Sequence, residues 1–403
     1  MIRFGCSILN RLKRVLIAAQ AVVTTIGAAG AHAMNVADTF QVHGFMSQAL
    51  IVTDHNDFFG PSSDDGGSLE YTELGLNASF RPFSHVLVAG QVLSRKAGNY
   101  GDAWQPELDY GVVDYQLIAD EERAFGIQLG RFKNPFGFYN QTRDAPSTRP
   151  SILLPQSIYF DRSRSLGLAS DGLSIYDEER FSNGTLYIQG GVGMPQVNSD
   201  AEISLSPDNP SLDGKLSSIG QVLYAHDGGR INVALSMARV RADYQSRQER
   251  QAKGEFIFQP MILSFQYNAE NWSLTTEYEY QRKELKDFSV SSYNGRVNGE
   301  SVYVQYLYRL SSRWQWLLRY DYAVSDRNDR DGERFEASGK GQDYSRFAKD
   351  VTTGVHWRVT PNWNIQAEIH HVNGTAWLPR QDNDDDNTEQ HWNMLLLQTS
   401  FSF

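Results

Sequence analysis

Apolar and polar residues alternate one by one through much of the chain. In the run Trp272 to Tyr280, Trp272, Leu274, Tyr278 and Tyr280 fall on one side, with Ser273, Thr275, Glu277 and Glu279 on the other. Val302, Val304, Tyr306 and Tyr308 alternate with Gln305 and Arg309, and Trp314, Trp316, Leu318, Tyr320 and Tyr322 with Gln315, Arg319 and Asp321. Trp363, Ile365, Ala367 and Ile369 alternate in the same way with Asn364, Gln366, Glu368 and His370. Neighbouring side chains of a strand point to opposite faces, so each run reads as a strand with one apolar and one polar face. No stretch sustains the 3.6-residue period of an amphipathic helix.

The breaks between runs come in two lengths. Short ones fall at Arg81 to Ser84, Asp120 to Arg123, Asn183-Gly184, Asp227 to Gly229, Ala269 to Asn271, Leu310 to Arg313 and Thr360 to Asn362. Asn-Gly is a strong hairpin dipeptide. Long polar stretches cover 54–68, 96–107, 133–164, 193–214, 245–253, 286–297, 326–344 and 374–388. Seven turns and eight loops connect sixteen strands, from a first over 40–53 to a last over Trp392 to Phe403.

Two features separate a membrane barrel from a soluble sandwich. The apolar face carries aromatics toward the ends of its band: Trp272, Trp314, Trp316, Trp357, Trp363, Phe401 and Phe403. Trp and Tyr settle where hydrocarbon meets water. The opposite face stays polar or charged through mid-strand, as a water-filled lumen requires, and short turns facing long loops are the membrane-barrel pattern. A sheet in hydrocarbon cannot keep an unpaired edge, so the last strand must pair with the first. The pattern predicts an all-β protein, a 16-stranded antiparallel transmembrane β-barrel with short periplasmic turns and long extracellular loops, wide enough for an aqueous channel.

Composition agrees and narrows the functions. The 403 residues hold 33 Gly, 20 Tyr and 21 Phe, a β-rich balance. The single cysteine, Cys6, excludes a disulfide scaffold and multi-cysteine metal sites. A formal charge of −11 argues against nucleic acid as a partner. Residues 1–33 read as an address. Arg3, Arg11, Lys13 and Arg14 precede the apolar stretch Val15 to Ala28, and Ala31-His32-Ala33 has the form of a cleavage site. A secretory signal peptide over 1–33 leaves 34–403 as one barrel domain, free of cysteine and more acidic, as suits an exported bacterial envelope protein. Beyond residue 33 no apolar run reaches the ~18–20 residues of a membrane helix.

The last strand, Leu395 to Phe403, alternates apolar residues and ends in Phe, and it resembles the terminal signature of bacterial outer-membrane barrels. That resemblance implies residence in the outer membrane of a Gram-negative bacterium and recognition by the barrel-assembly machinery through Phe401 and Phe403. The segment Leu129-Gly130-Arg131-Phe132-Lys133-Asn134-Pro135-Phe136-Gly137 resembles the G-R-x-K-x-P-F-G stretch of the phosphate-selective (O/P-type) porins. In that family it follows the fifth strand and opens a third loop that folds into the channel. Here too it ends strand five and enters the longest loop, 133–164. The family's substrate-binding arginine ladder has no residue-by-residue match, and the N-terminal coiled coil of some relatives is not evident.

That third loop is basic in an acidic chain. With its root it holds Arg131, Lys133, Arg143, Arg149, Arg162 and Arg164 against Asp144 and Asp161, and Pro135, Pro146, Pro150 and Pro155 stiffen it. Folded inward, it forms a positive pore constriction that attracts anions; folded outward, its arginines would meet lipopolysaccharide phosphates. By parity the lumen wall carries Arg95, Arg309, Arg319 and Arg358 with Glu73, Asp114, Glu277, Glu279, Asp321 and Glu368. These give either a transverse field across the channel or salt bridges that rigidify the wall. His370 and His371 alternate to opposite faces, which speaks against a shared metal. Asp382, Asp384, Asp385, Asp386 and Glu389 read as a solvated loop rather than a calcium site. No cofactor is implied.

The expectation is a passive diffusion porin for small hydrophilic solutes, anion-preferring, passing phosphate or organic anions and surrounded by outer-membrane lipid and lipopolysaccharide. A homotrimer is expected by analogy with sixteen-stranded general porins, and the small residues Gly44, Ser47 and Ala49 of the first strand suit packing between barrels. One alternative is a barrel enzyme of phospholipase or protease type, which needs a Ser–His or Asp–His pair at one rim. Another is a structural or adhesive barrel with a blocked lumen.

Overall fold

A computed structural model describes residues 40–99, 104–161, 164–205, 211–246, 253–288, 294–383 and 387–403. The segment read as a signal peptide lies outside the described residues, as do Arg162 and Asp384 to Asp386. The first half of the sheet is β1 (Phe40–Thr53), β2 (Ser68–Phe83), β3 (Val86–Ala97), β4 (Glu107–Ala119), β5 (Arg123–Lys133), β6 (Ala169–Phe181), β7 (Gly184–Pro195) and β8 (Ser211–His226). The second half is β9 (Ile231–Gln245), β10 (Lys253–Asn268), β11 (Trp272–Lys286), β12 (Gly295–Arg309), β13 (Trp314–Val324), β14 (Phe347–Thr360), β15 (Trp363–Gly374) and β16 (His391–Ser402).

Each strand pairs antiparallel with its sequence neighbours, and β1 pairs with β16, so the sheet is a closed barrel of sixteen strands. The seam runs from Phe45 opposite Ser402 to Thr53 opposite Met394. It is finished by reciprocal backbone hydrogen bonds, Gly44 N–H to Phe403 O at 3.0 Å and Phe403 N–H to Gly44 O at 2.9 Å. Every turn and loop falls where the alternation breaks. Pro260 sits inside β10 and donates no ladder bond; the pairing with β9 skips from Phe258 to Met261.

The period-two pattern sorts the faces as expected. Leu76, Leu129, Leu263 and Ile369 are exposed on the outer face, while Glu73, Ser264 and Glu368 are buried on the inner one. At the short-turn end the outer face carries an aromatic belt. Trp314 and Trp357 stack with ring centres 5.2 Å apart, and Trp272 stacks on Tyr306 at 5.8 Å.

Two expectations are corrected. Ser47 and Ala49 point into the barrel, Ser47 hydrogen-bonding Glu73 at 3.1 Å and Ala49 buried in an apolar cluster. Of the three small residues expected to meet a neighbouring barrel, only Gly44 faces outward, and the Phe403 ring lies over it: a Cβ there would come within 2.5 Å of the ring. Nor is the inner face uniformly polar. Trp392, Met394 and Leu396 of β16 face inward and are buried with Phe58, Phe59, Trp377, Ile152 and Leu153, which come from three different loops. These loops fold in over the β1–β16 wall, so β16 is apolar on both faces.

Because the Phe403 ring needs the bare backbone of Gly44, Gly44→Val should displace it and weaken the seam's last two hydrogen bonds, at ~0.5–1.5 kcal/mol each. A heat-modifiability gel should show the folded band lost at a lower temperature for Gly44→Val and for deletion of Phe403. An unchanged melting profile in both would refute the role of this contact.

Candidate functional site: the third loop inside the lumen

The loop after β5 covers residues 134–168, ending in the short helix Arg164–Leu168. Its two ends are tied together by amides. Asn134 donates to Gly167 O and accepts from Ser170 Oγ, both at 3.0 Å, and Asn140 donates to the carbonyls of Asn134, Gly167 and Leu168. The loop therefore leaves and re-enters the wall at one place and projects inward between. The glycine of the Pro-Phe-Gly stretch has a local reason: Gly137 adopts φ +59°, and a Cβ there would come within 2.2 Å of the Tyr159 hydroxyl.

From this root the loop crosses the lumen and bonds to the far wall. Gly137 N–H donates to Ser236 Oγ of β9 at 3.0 Å, and Gln221 of β8 donates to Gly137 O at 2.9 Å. Glu277 of β11 is a hub. It accepts from Phe138 N–H at 2.9 Å, the Tyr159 hydroxyl at 2.6 Å, the Tyr303 hydroxyl at 2.7 Å and Ser264 Oγ at 2.5 Å. Arg319 of β13 donates to Ser151 Oγ and Leu153 O, and Asp321 accepts from Ser157 N–H. Glu368 of β15 accepts from Ile152 N–H at 2.5 Å. Phe136, Leu154, Ile158 and Tyr159 pack against Ile262 and Tyr303 of the wall.

Among the described residues, the loop's charges are spent on pairing. Arg149 meets Glu73 of β2 at 2.5 Å and the Tyr71 hydroxyl at 3.1 Å. Arg143 is 5% exposed, donates to Tyr159 O at 2.9 Å and lies 3.7 Å from Asp161, which also takes Arg95 of β3 at 2.8 Å. Burial depresses the Arg143 pKa, and Asp161 beside it works the other way. Lys133 sits between Asp109 of β4, at 2.6 Å, and Asp144, which also pairs with Arg164. A buried charge must be paired or it is not tolerated, and two of these partners, Glu73 and Asp109, come from the wall.

The expected site residues thus divide. Lys133, Arg143, Arg149 and Arg164 gather in the lumen with Arg95, Glu73, Arg319, Glu277, Asp321 and Glu368. Glu279 is buried on the same face as Glu277. Asp114 accepts from Gln128 and the Tyr176 hydroxyl nearer the short-turn end. Two placements are corrected. Arg131 does not join the constriction: it pairs with Asp171, at 2.7 and 2.9 Å, on the same outer face as exposed Leu129 and Leu173. Arg131 follows the one-residue alternation of β5, two positions after outward Leu129, while Lys133, the last residue of the strand, reaches Asp109 and Asp144. Arg309 folds onto the carbonyls of Ala269 and Glu270 and clamps a short turn rather than lining the wall. Arg358 shares the inward parity of Asp350 and Thr352 on β14 and lies exposed at the short-turn mouth, opposite Asn364.

Asp109, Tyr159, Tyr303 and the pair Asp350–His370 were not singled out by sequence. His370 is 1% exposed, 2.8 Å from Asp350 and 3.4 Å from Glu368, while His371 faces outward onto Asn393. Among the described residues, no group of three or more His, Cys, Asp or Glu side chains is placed to hold a metal ion. In the last loop, Asp382 accepts from Asn99 N–H at 3.0 Å, and burial raises its pKa.

No protein-family model matches the chain, and no curated protein sequence matches it. Solved structures do. The chain is similar in fold to OmpT, an outer-membrane protein of Vibrio cholerae (TM-score 0.56, 9% identity, 93% of this chain and 100% of that one). It is similar to an anion-selective porin from Comamonas acidovorans (0.58, 11% identity, 91% and 99%) and to OprB of Pseudomonas putida (0.52, 10% identity, 92% and 95%). The architecture is that of Gram-negative outer-membrane porins, and the lipid-facing belt fits that membrane.

The sequence alone treats Arg149 as a removable loop charge. The structure makes it one half of a buried pair. Arg149→Ala leaves Glu73 with the Ser47 hydroxyl and, as its cation, Arg95 at 3.5 Å, and should cost about 3 kcal/mol, the lower end for breaking a buried pair. Thermal unfolding of Arg149→Ala, Glu73→Gln and the double variant should show non-additive losses; additive losses would mean the two residues do not act as a pair.

Proposed function

We propose that the protein is a passive diffusion porin passing small hydrophilic solutes, with no catalytic step. One observation carries this reading: a closed sixteen-strand barrel whose lumen keeps a polar inner wall and is narrowed, at one level, by its own third loop. The anion preference expected from the basic loop is modest in this reading. Four of the loop's cations face carboxylates at contact distance, so the field they send into the aqueous path is small. Phosphate selectivity has no cluster of unpaired arginines behind it among the described residues.

A homotrimer is proposed by analogy, since one OmpT structure similar in fold is described as a trimer form; the first strand's small residues do not supply the contact. Recognition of Phe401 and Phe403 by the assembly machinery, and contact of the loops with lipopolysaccharide, belong to the same proposal. The enzyme alternative finds an Asp–His pair, Asp350–His370, but it lies buried against the wall rather than at a rim. The blocked-barrel alternative has a specific observation behind it, the loop's bonds to strands on every side, and conductance separates it from a porin.

Refolded protein in a planar bilayer should give stepwise conductance with a zero-current potential only slightly on the anion side. Arg143→Ala with Arg149→Ala should move it toward cations, because Asp161 and Glu73 lose partners. A silent wild type would refute the porin reading; an unchanged potential in the double variant would show that ions pass elsewhere.

A further inference from the structure

Between the underside of the third loop and the short-turn end lies a chamber of about 610 Å³ against β7 to β10. That is within the ~300–1,000 Å³ of small-molecule sites. No carboxylate, lysine, arginine or histidine lines it. This is the reverse of the loop level just above, where charges crowd and pair.

What lines it is matched to a particular chemistry. Tyr187 of β7 is 40% exposed and faces inward, on the same face as Gln189, which accepts from Gln141 of the loop at 2.8 Å. Thr142 and Thr148 are exposed on the loop's underside. Asn232 of β9 donates one hydrogen to Gln266 and one to Gly229 O, so its carbonyl oxygen remains as an acceptor. Gln266 of β10 donates one hydrogen to Thr275 and keeps the other. The chamber therefore offers donors and acceptors side by side, next to an open aromatic face.

An anion such as phosphate could use the donors and would confront the Asn232 oxygen. A cation would have the opposite difficulty. A hydroxyl group donates and accepts at once, and the C–H face of a sugar ring suits an aromatic ring. We propose that this chamber is a binding station for neutral polyhydroxylated solutes of mono- to disaccharide size. The inference rests on the porin reading and names its substrate class.

The test is block of ion current by maltose in bilayers holding the full-length protein, with gluconate and inorganic phosphate as charged probes. Maltose should reduce the conductance saturably, and at lower concentration than either anion. Tyr187→Ala should raise the half-blocking concentration about fivefold, the loss of one ring contact, while Tyr187→Phe should keep the wild-type value. Asn232→Asp, which adds a charge without changing shape, should also weaken block. Conductance without maltose block, or tighter block by phosphate or gluconate, overturns this inference and leaves the porin standing. No conductance at all overturns both.

Discussion

A backbone amide in hydrocarbon has no water to turn to, and an unmet one costs several kcal/mol. Every strand of this protein answers to that constraint. The sheet closes because β1 and β16 would otherwise present an edge to lipid, and the closure reaches the final residue, where Phe403 exchanges two backbone bonds with Gly44. Once the ring of strands is closed, alternation leaves no choice of face. Leu, Val and aromatic side chains go out to lipid, and the other half of each strand encloses a volume that must be filled by water or by protein.

The third loop decides how that volume is used. Its cations enter a confined space where unpaired charge is costly, and they are met by carboxylates that the wall places at the same height: Glu73 for Arg149, Asp109 for Lys133. Glu277 works in the other direction, a wall carboxylate satisfied by one loop amide and three hydroxyls. Loop and wall are therefore one electrostatic unit. Lys133, Arg143, Arg149 and Arg164 fasten the loop rather than project into the channel, and the chamber beneath it against β7 to β10 is lined by amides, hydroxyls and a phenol ring.

The strands, their number and the alternating loop lengths were legible in the sequence, because each follows from a local rule, period two or turn residues; the inward third loop was implied by the resemblance of the stretch ending in Pro-Phe-Gly to the phosphate-selective porins. Glu277 and Arg319 could be placed in the lumen by parity alone. Parity failed where a strand ends. Arg309, at the end of β12, bends back onto a turn, and Arg131, assigned to the constriction from the loop it precedes, follows the alternation of β5 outward with Leu129. Parity also had nothing to say about Trp392, Met394 and Leu396, whose inward faces are apolar because three loops fold over them.

The sequence by itself determined which residues share a face and that the sheet must close, since both are fixed by geometry between near neighbours and by the solvent outside. Only the tertiary structure decided which charges meet. Arg149 and Glu73 are 76 positions apart, Phe138 and Glu277 139, and Ile152 and Glu368 216. No periodicity spans such distances. Partners that far apart are set by strand register around the ring and by the height at which the loop crosses it, and so the difference between a free arginine and a neutralised one appears only when the barrel is closed.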